Sequence, residues 1–150
     1  RTPKNTPSAP ADAALDPAKN RGRRRVTIAG VTLEWDAFDE AWRLHRLMLN
    51  ARQEAESNGQ TLPPAFVYRL LGYAKSALRV HRGNGEVPLA DVKWRAQLNY
   101  DVKRNYPKGH EDGQSPLRAL RDELLRLDHT RAAALHAATM LTLYVMRGER

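Results

Sequence analysis

The side chains best suited to chemistry in this sequence are its histidines and its adjacent acidic pairs. The histidines are His45, His81, His110, His129 and His136. None of them forms an H-E-x-x-H or H-x-x-x-H pair, which would place two metal ligands on one helix face. The acidic pairs, among them Asp122-Glu123, fit the first turn of a helix or a solvated loop better than a buried acid and base. The sequence therefore predicts no catalytic site and no metal site.

The glycine and serine patterns give the same result. Gly83-Asn84-Gly85 lacks the lysine and the spacing of a phosphate-binding loop, and it follows a predicted helix. The four serines occupy a tail, a helix end, a helix interior and a capping position, none of which is a nucleophile elbow. We therefore expect no cofactor and no small-molecule substrate.

Basic residues interleaved with aromatic residues form the strongest candidate binding site. They surround the third predicted helix: Lys93, Trp94, Arg95, Tyr100, Lys103, Arg104 and Tyr106. Such residues hold RNA by phosphate contact and base stacking, but arginine, tyrosine and tryptophan are also enriched at protein interfaces. Because Asp91 and Asp101 dilute the positive charge, we expect these residues to contact protein in preference to RNA.

A second candidate binding segment is a basic run near the start of the chain. Its cations are Arg21, Arg23, Arg24 and Arg25. They are suited to a phosphate or to an acidic protein patch, and the alternative is a solvated tail. Residues 1–25 hold seven basic and two acidic side chains, which places +5 of the net charge of +8 there. The rest of the chain is close to balanced, so the high net charge does not by itself indicate a nucleic-acid-binding domain.

The composition also bears on the compartment. The chain has no cysteine, which suits a reducing environment, and no apolar run approaches the roughly 20 residues of a membrane-spanning helix. It begins with Arg1, and the residues before Asp12 are basic and free of acid, as in the neighbourhood of an organellar transit peptide. We expect a processed protein of the mitochondrial matrix; an arbitrarily cut fragment and a cytoplasmic location are the alternatives.

The stretch 61–85 is the element most clearly built to organise a core. Pro63 and Pro64 suit the first turn of a helix, and Gly83 and Gly85 suit its end. Its apolar residues recur at helical spacing: Phe66, Val67, Leu70, Leu71, Ala74, Ala77 and Leu78. We expect this helix to form an antiparallel hairpin with the helix before it and to pack the first, fourth and fifth helices.

Four further helices and a β-hairpin are predicted around this stretch. The helices are Ala37–Ser57 with Asp36 as N-cap, Pro88–Arg104, one opening at Ser115-Pro116, and one capped by Asp128 or Thr130 and ending near Gly148. The alternating run 26–35, with Ala29-Gly30 at a tight turn, predicts a hairpin or an extended cover strip. Trp94 and Tyr100 fall outside the apolar face of the third helix, and we expect both to be exposed.

These observations predict an all-α fold of about five helices in antiparallel hairpins. It is preceded by an extended basic tail, residues 1–25, and a short β-hairpin, and residues 26–150 form one domain. The first functional hypothesis is a non-catalytic accessory subunit of a multi-protein assembly, of the mitochondrial ATP synthase or respiratory-chain type. The second is a small RNA-binding protein, such as a component of an organellar ribosome or ribonucleoprotein.

Overall fold

The structure, a computed structural model, describes residues 25–28, 30–83, 85–108 and 114–149. These residues form a two-stranded sheet, six α-helices and one 3-10 turn, His129–Arg131. The strands are β1 (Arg25–Ile28) and β2 (Val31–Glu34). The helices are α1 (Trp35–Ser57), α2 (Pro64–Arg82), α3 (Leu89–Val92), α4 (Trp94–Asn105), α5 (Pro116–Leu125) and α6 (Ala132–Gly148). The predicted fold class, all-α with a short hairpin, is confirmed.

The hairpin is antiparallel and is closed by a turn that needs a glycine. Arg25 pairs with Glu34 and Ile28 with Val31, and Gly30 has a φ of +82°. Residues with a side chain rarely adopt that conformation, so Gly30 sets the turn. Val31 and Leu33 are buried against the helices, which stabilises a hairpin that would be marginal in isolation.

Helix α2 forms as predicted, but its glycine ends it for an unexpected reason. Pro64 occupies the first turn, and the apolar stripe is buried apart from the partly exposed Leu78. Gly83 has an ordinary negative φ. A Cβ atom at this position would lie 2.9 Å from Val87 Cγ2 and 3.0 Å from the carbonyl oxygen of Arg79. Close approach of the returning chain therefore favours glycine here.

The last helix, α6, is the central element of the core. It packs extensively against both α1 and α2, and its alanines, such as Ala137 and Ala138, are fully buried. Small side chains let the helices on both sides approach closely. In the described part of the chain, α2 packs mainly on α6, α4 and α3, whereas α1 packs on α6 and α5. Of the three packing partners predicted for α2, the last helix is confirmed, whereas the predicted pairing with α1 and packing on the fourth predicted helix, α5, were wrong.

The predicted third helix is divided in two at Lys93. The apolar residues of α3, Leu89 and Val92, are 67% and 54% exposed, whereas Asp91 is buried. Asp91 points inward because it accepts hydrogen bonds from side chains of α2. After the break, α4 buries Trp94 on the core side. An apolar pattern alone misplaces this segment, since an ion pair sets the orientation of α3.

The helix ends around α5 are capped by side chains. Ser115 accepts a hydrogen bond from the backbone N–H of Arg118, which confirms the predicted cap, and its own hydroxyl donates to the Glu54 carboxylate of α1. Asp128 caps the 3-10 turn by accepting from the backbone N–H of Thr130. Helix α1 begins at Trp35, before the predicted cap Asp36. None of the described helices combines the length and apolar composition needed to cross a bilayer.

Candidate functional site

Two arginine–aspartate pairs join α2 to the segment that follows it. In the first, Arg79 donates from Nε to Asp91 Oδ2 at 2.8 Å and from Nη2 to Asp91 Oδ1 at 2.7 Å. Ser76 of α2 donates a further bond, 3.0 Å long, to the same carboxylate. The Asp91 side chain is only 9% exposed, whereas that of Arg79 is 57% exposed. The negative charge is therefore inside and the positive charge outside.

The second pair repeats this arrangement one helix further along. Arg69 donates to the carboxylate of Asp101 from Nε at 2.6 Å and from Nη2 at 3.1 Å. The Tyr73 hydroxyl and the Asn105 amide also donate to Asp101, at 2.8 and 2.7 Å. The side chain of Asp101 is 5% exposed and that of Arg69 is 41% exposed. Asp91 and Asp101, which were predicted to dilute the basic surface, are instead buried beneath it.

These contacts keep both pairs ionised at neutral pH. The hydrogen bonds from Arg79 lower the pKa of Asp91. Burial raises the pKa of Asp101, but hydrogen bonds from Arg69, Asn105 and Tyr73 outweigh it, and the pKa lies below its usual value. Burial, followed by the bond to Asp101, raises the pKa of Tyr73 to about 12. The arginines stay cationic and Tyr73 stays protonated across the physiological range.

A groove lies between α2 and α4 above these pairs, and we call it the α2–α4 groove. Its volume is about 840 Å³. Its lining comes from both helices and from the turn between α3 and α4: Arg69, Gly72, Tyr73, Ser76, Arg79, Lys93, Ala96, Gln97, Tyr100, Asp101 and Asn105. Nη1 of Arg69 and of Arg79 makes no hydrogen bond to the described residues. Each guanidinium is thus held in place by its aspartate and keeps donors free for a ligand.

Several of the predicted binding residues meet at this groove. Lys93 and Tyr100 line it, and the Arg104 guanidinium lies 5.9 Å from the centre of the Tyr100 ring. Tyr100 is 63% exposed, as expected. Lys103 is exposed one helical turn from Tyr100. Lys93, Lys103 and Arg104 extend the positive surface that Arg69 and Arg79 begin, and Tyr100 lies among them.

Two predicted binding residues belong to the core instead. Trp94 is buried, so the prediction that it is exposed was wrong. Tyr106 is also buried; its hydroxyl donates to the carbonyl oxygen of Leu117 at 2.7 Å, and its ring lies 5.6 Å from that of Phe66. Burial and the nearby Glu54 raise the pKa of Tyr106. Both aromatic rings fill the space between α4 and its neighbours, where a partner has no access to them.

The predicted basic run is placed only in part. Arg25 lies in β1 and pairs with Glu34 at 2.8 Å, so it belongs to the hairpin and not to an extended tail. Arg21, Arg23 and Arg24 lie outside the described residues.

Arg95 lies in a separate small cleft of about 440 Å³, which it shares with His81 and His129. The two imidazole rings are 5.0 Å apart. The described residues contain no group of three or more side chains suited to hold a metal ion.

Sequence reasoning missed the α2 side of the groove, although a signal was present. Arg69, Tyr73, Ser76 and Arg79 recur at helical spacing on the face of α2 opposite part of its apolar stripe. Reading α2 as a core helix hid this polar face. Asp91 and Asp101, two acids of the segment that follows, are the partners of its arginines.

The chain was compared with known proteins at three levels. No family model matches it, and no curated protein and no solved structure gives a match either.

Proposed function

We propose that this protein is a non-catalytic, RNA-binding subunit of a ribonucleoprotein, and that it binds RNA through the α2–α4 groove. One observation carries the proposal: Arg69 and Arg79 both line the groove, and each is held there by two hydrogen bonds to a buried aspartate. The guanidinium N–H groups that the aspartates do not use can donate to phosphate oxygens, and a cation already held in place loses less conformational entropy on binding.

The surrounding charges favour a polyanion over a neutral ligand. Lys93 and Arg104 add positive charge along α4 on the groove side, and the acids of the groove lie beneath the arginines. A binding role suits these groups better than acid–base chemistry. The carboxylates have lowered pKa values and the pKa of Tyr73 is about 12, so neither is matched to proton transfer near neutral pH.

Salt-dependent RNA binding by charge-matched variants tests this proposal. The variant Lys93→Ala/Arg104→Ala removes one cation that lines the groove and one that lies over the Tyr100 ring beside it, and the control Lys75→Ala/Arg126→Ala removes two exposed cations elsewhere. Affinity for a fluorescent 20-nucleotide RNA is measured by anisotropy across a salt series. The groove variant should bind more weakly, with a log–log salt slope smaller by about 1.4, since each phosphate contact to a single strand contributes about 0.7. The control should match the wild type.

Two results would overturn the proposal. One is the absence of salt-dependent RNA binding by the wild-type protein. The other is an equal loss in both double variants, which would mean that net charge alone governs binding and that the groove has no particular role.

A second function, an accessory subunit that contacts protein, is favoured by the aromatic face of α1. Trp35 and Trp42 are 47% and 49% exposed and lie seven residues apart, with Phe38 between them at helical spacing. Exposed tryptophans are typical of interaction hot spots. For this second function, the assembly that the sequence predicts is a mitochondrial one of the ATP synthase or respiratory-chain type.

Co-purification from the native source tests this second function. The Trp35→Ala/Trp42→Ala variant should lose partner proteins identified by mass spectrometry, whereas the groove variant should retain them. Cell fractionation of the tagged protein checks the compartment. An unchanged set of partners in the tryptophan variant would argue against the α1 face.

A further inference from the structure

The α2–α4 groove carries a feature that phosphate binding alone does not use. Tyr100 stands on its α4 wall with 63% of its surface exposed. The other aromatic residues of α4 and the segment after it, Trp94 and Tyr106, are buried in the core. Tyr100 is therefore the aromatic side chain of this region that a ligand in the groove can reach.

The surroundings of Tyr100 suit a nucleobase. Arg104 lies over the ring at 5.9 Å, and Gln97 and Lys93 line the same wall at helical spacing from it. Aromatic rings and guanidinium planes stack on bases, and a glutamine amide offers both a donor and an acceptor to a base edge. Lys93 and Arg104 lie at the two ends of this wall, and Arg79 lies across the groove. These cations are placed to hold the phosphates of an RNA backbone.

Shape decides between single-stranded and double-stranded RNA. A base can stack on a tyrosine ring only when one of its faces is free, which requires an unpaired nucleotide. In a duplex the bases stack on one another, and a protein meets phosphates, sugars and base edges. A concave groove of about 840 Å³ with its aromatic side chain on the wall admits a splayed base.

We infer that the α2–α4 groove takes a single-stranded RNA segment, with one base stacked on Tyr100 and the flanking phosphates held by Lys93, Arg79 and Arg104. This inference rests on the proposed RNA-binding function and adds the class of RNA and the stacking residue. It gives Tyr100 a role distinct from the cations: the ring contributes affinity that does not depend on salt.

The test compares one labelled 20-nucleotide RNA as a single strand and annealed to its complement. A labelled oligoglutamate peptide serves as an acidic protein mimic. Affinities are measured by fluorescence anisotropy for the wild type and for three variants: Tyr100→Ala, Tyr100→Phe and Tyr144→Ala. Tyr144 is a matched control because it is 77% exposed on α6, away from the groove. Circular dichroism checks that each variant is folded. We expect all three to fold, because both tyrosines are exposed and neither supports the core.

The wild type should bind the single strand at least tenfold more tightly than the duplex. Tyr100→Ala should weaken single-strand binding about 5- to 100-fold, the loss expected for one base–aromatic stack, without changing the salt slope. Tyr100→Phe keeps the ring and should bind within about twofold of the wild type, and Tyr144→Ala should be unchanged.

The contrary outcomes separate this inference from the function on which it rests. Equal or tighter binding of the duplex, or an equal loss for both RNA forms in Tyr100→Ala, overturns the stacked single strand and leaves RNA binding by the groove in place. The absence of binding to either RNA overturns both, and if the acidic peptide alone binds, the groove is a protein-binding site.

Discussion

Two clusters of arginines and carboxylates join helices in this protein, and they differ in how deeply their carboxylates are buried. The first consists of the contacts of α2 with α3, Arg79–Asp91, and with α4, Arg69–Asp101; both border the α2–α4 groove, and we call them the α2–α4 pairs. The second links α1, α5 and the 3-10 turn, and we call it the α1–α5 network; its members are Glu40, Arg43, Glu123 and Arg131.

In the α1–α5 network each acid pairs with both arginines. Arg43 Nη1 contacts Glu123 at 2.6 Å, Arg131 Nη2 contacts Glu123 at 2.9 Å, and both arginines also meet Glu40. Apart from Arg43, its side chains are about equally exposed, at 23 to 27%. In the α2–α4 pairs the acids are 5 and 9% exposed and the arginines 41 and 57%. Both clusters join helices and both leave an arginine about half exposed, but only the α2–α4 pairs bury their carboxylates almost completely beneath the arginines.

The largest predicted effect breaks the α2–α4 arrangement at Asp101. Asp101→Asn removes the charge that Arg69 faces and turns an amide donor toward the donors of Arg69 and Tyr73. Breaking a buried ion pair costs about 3 to 5 kcal/mol, and the partial exposure of Arg69 reduces this to about 2 to 3 kcal/mol. Urea denaturation measures the free energy of unfolding.

Asp122→Asn provides the control for this prediction. The side chain of Asp122 is 37% exposed and contacts the exposed Arg121 at 3.3 Å, so its removal should cost no more than about 0.5 kcal/mol. Equal losses in the two variants would show that the buried carboxylate of Asp101 does not anchor α4.

A smaller effect is predicted for the α1–α5 network at Glu123. Burial raises the pKa of Glu123, but hydrogen bonds from Arg43 and Arg131 lower it by more. The pKa therefore lies below its usual value, and the carboxylate is ionised and paired. Because its partners are partly solvated, Glu123→Gln should destabilise the fold by about 1 to 2 kcal/mol. RNA affinity measured by anisotropy should stay within about twofold of the wild type, since the network does not face the groove. A larger loss of RNA binding would mean that the two clusters do not have separate roles.

Helix existence and most helix bounds could be predicted from the sequence because they depend on local signals. Pro64, Ser115 and Pro116 mark helix starts by their own backbone chemistry, and the apolar stripe of α2 fixes its buried face. The α2–α4 groove could not be predicted in the same way. It depends on pairs 12 and 32 residues apart, Arg79–Asp91 and Arg69–Asp101, whose partners are set only by the packing of α2 on α3 and α4.

The burial of aromatic residues shows the same difference between local sequence signals and packing between helices. Sequence spacing correctly indicated that Tyr100 is exposed, but it gave the same prediction for Trp94, which the break at Lys93 turns into the core. A half-turn error in the phase of one helix exchanges a core residue for a surface residue. Which of two aromatics on a short helix meets a ligand therefore depends on the helix start, which is set here by the inward-facing Asp91.

The smallest predicted effect is a loss of stability at mildly acidic pH that comes from two buried histidines, His45 of α1 and His136 of α6. Burial lowers the pKa of His45, and the positive charge of Arg46 lowers it further. Burial also lowers the pKa of His136, and the positive charges of Lys75 and Arg82 add to that effect. His45 Nδ1 lies 2.9 Å from Thr142 Oγ1, whereas Nδ1 of His136 has no partner among the described residues. Because each folded-state pKa lies below 6.5, the unfolded chain binds protons first, and stability falls as the pH drops below the unfolded value.

Between pH 7 and pH 6 this loss is at most about 0.7 kcal/mol per histidine, and the aspartate pairs do not yet titrate. His136→Leu should remove its share of the loss and leave stability at pH 7 unchanged or slightly higher, because it removes an unpaired buried nitrogen. His45→Gln should also flatten the slope, but at a cost at pH 7 because the buried bond between His45 and Thr142 is lost and Thr142 keeps only its bonds to Ala138 and Met48. Thermal unfolding at pH 7.0, 6.5 and 6.0 measures both effects. The double variant His45→Gln/His136→Leu should show the flattest dependence on pH, and an unchanged slope there would mean that the folded protein accepts these protons as readily as the unfolded chain.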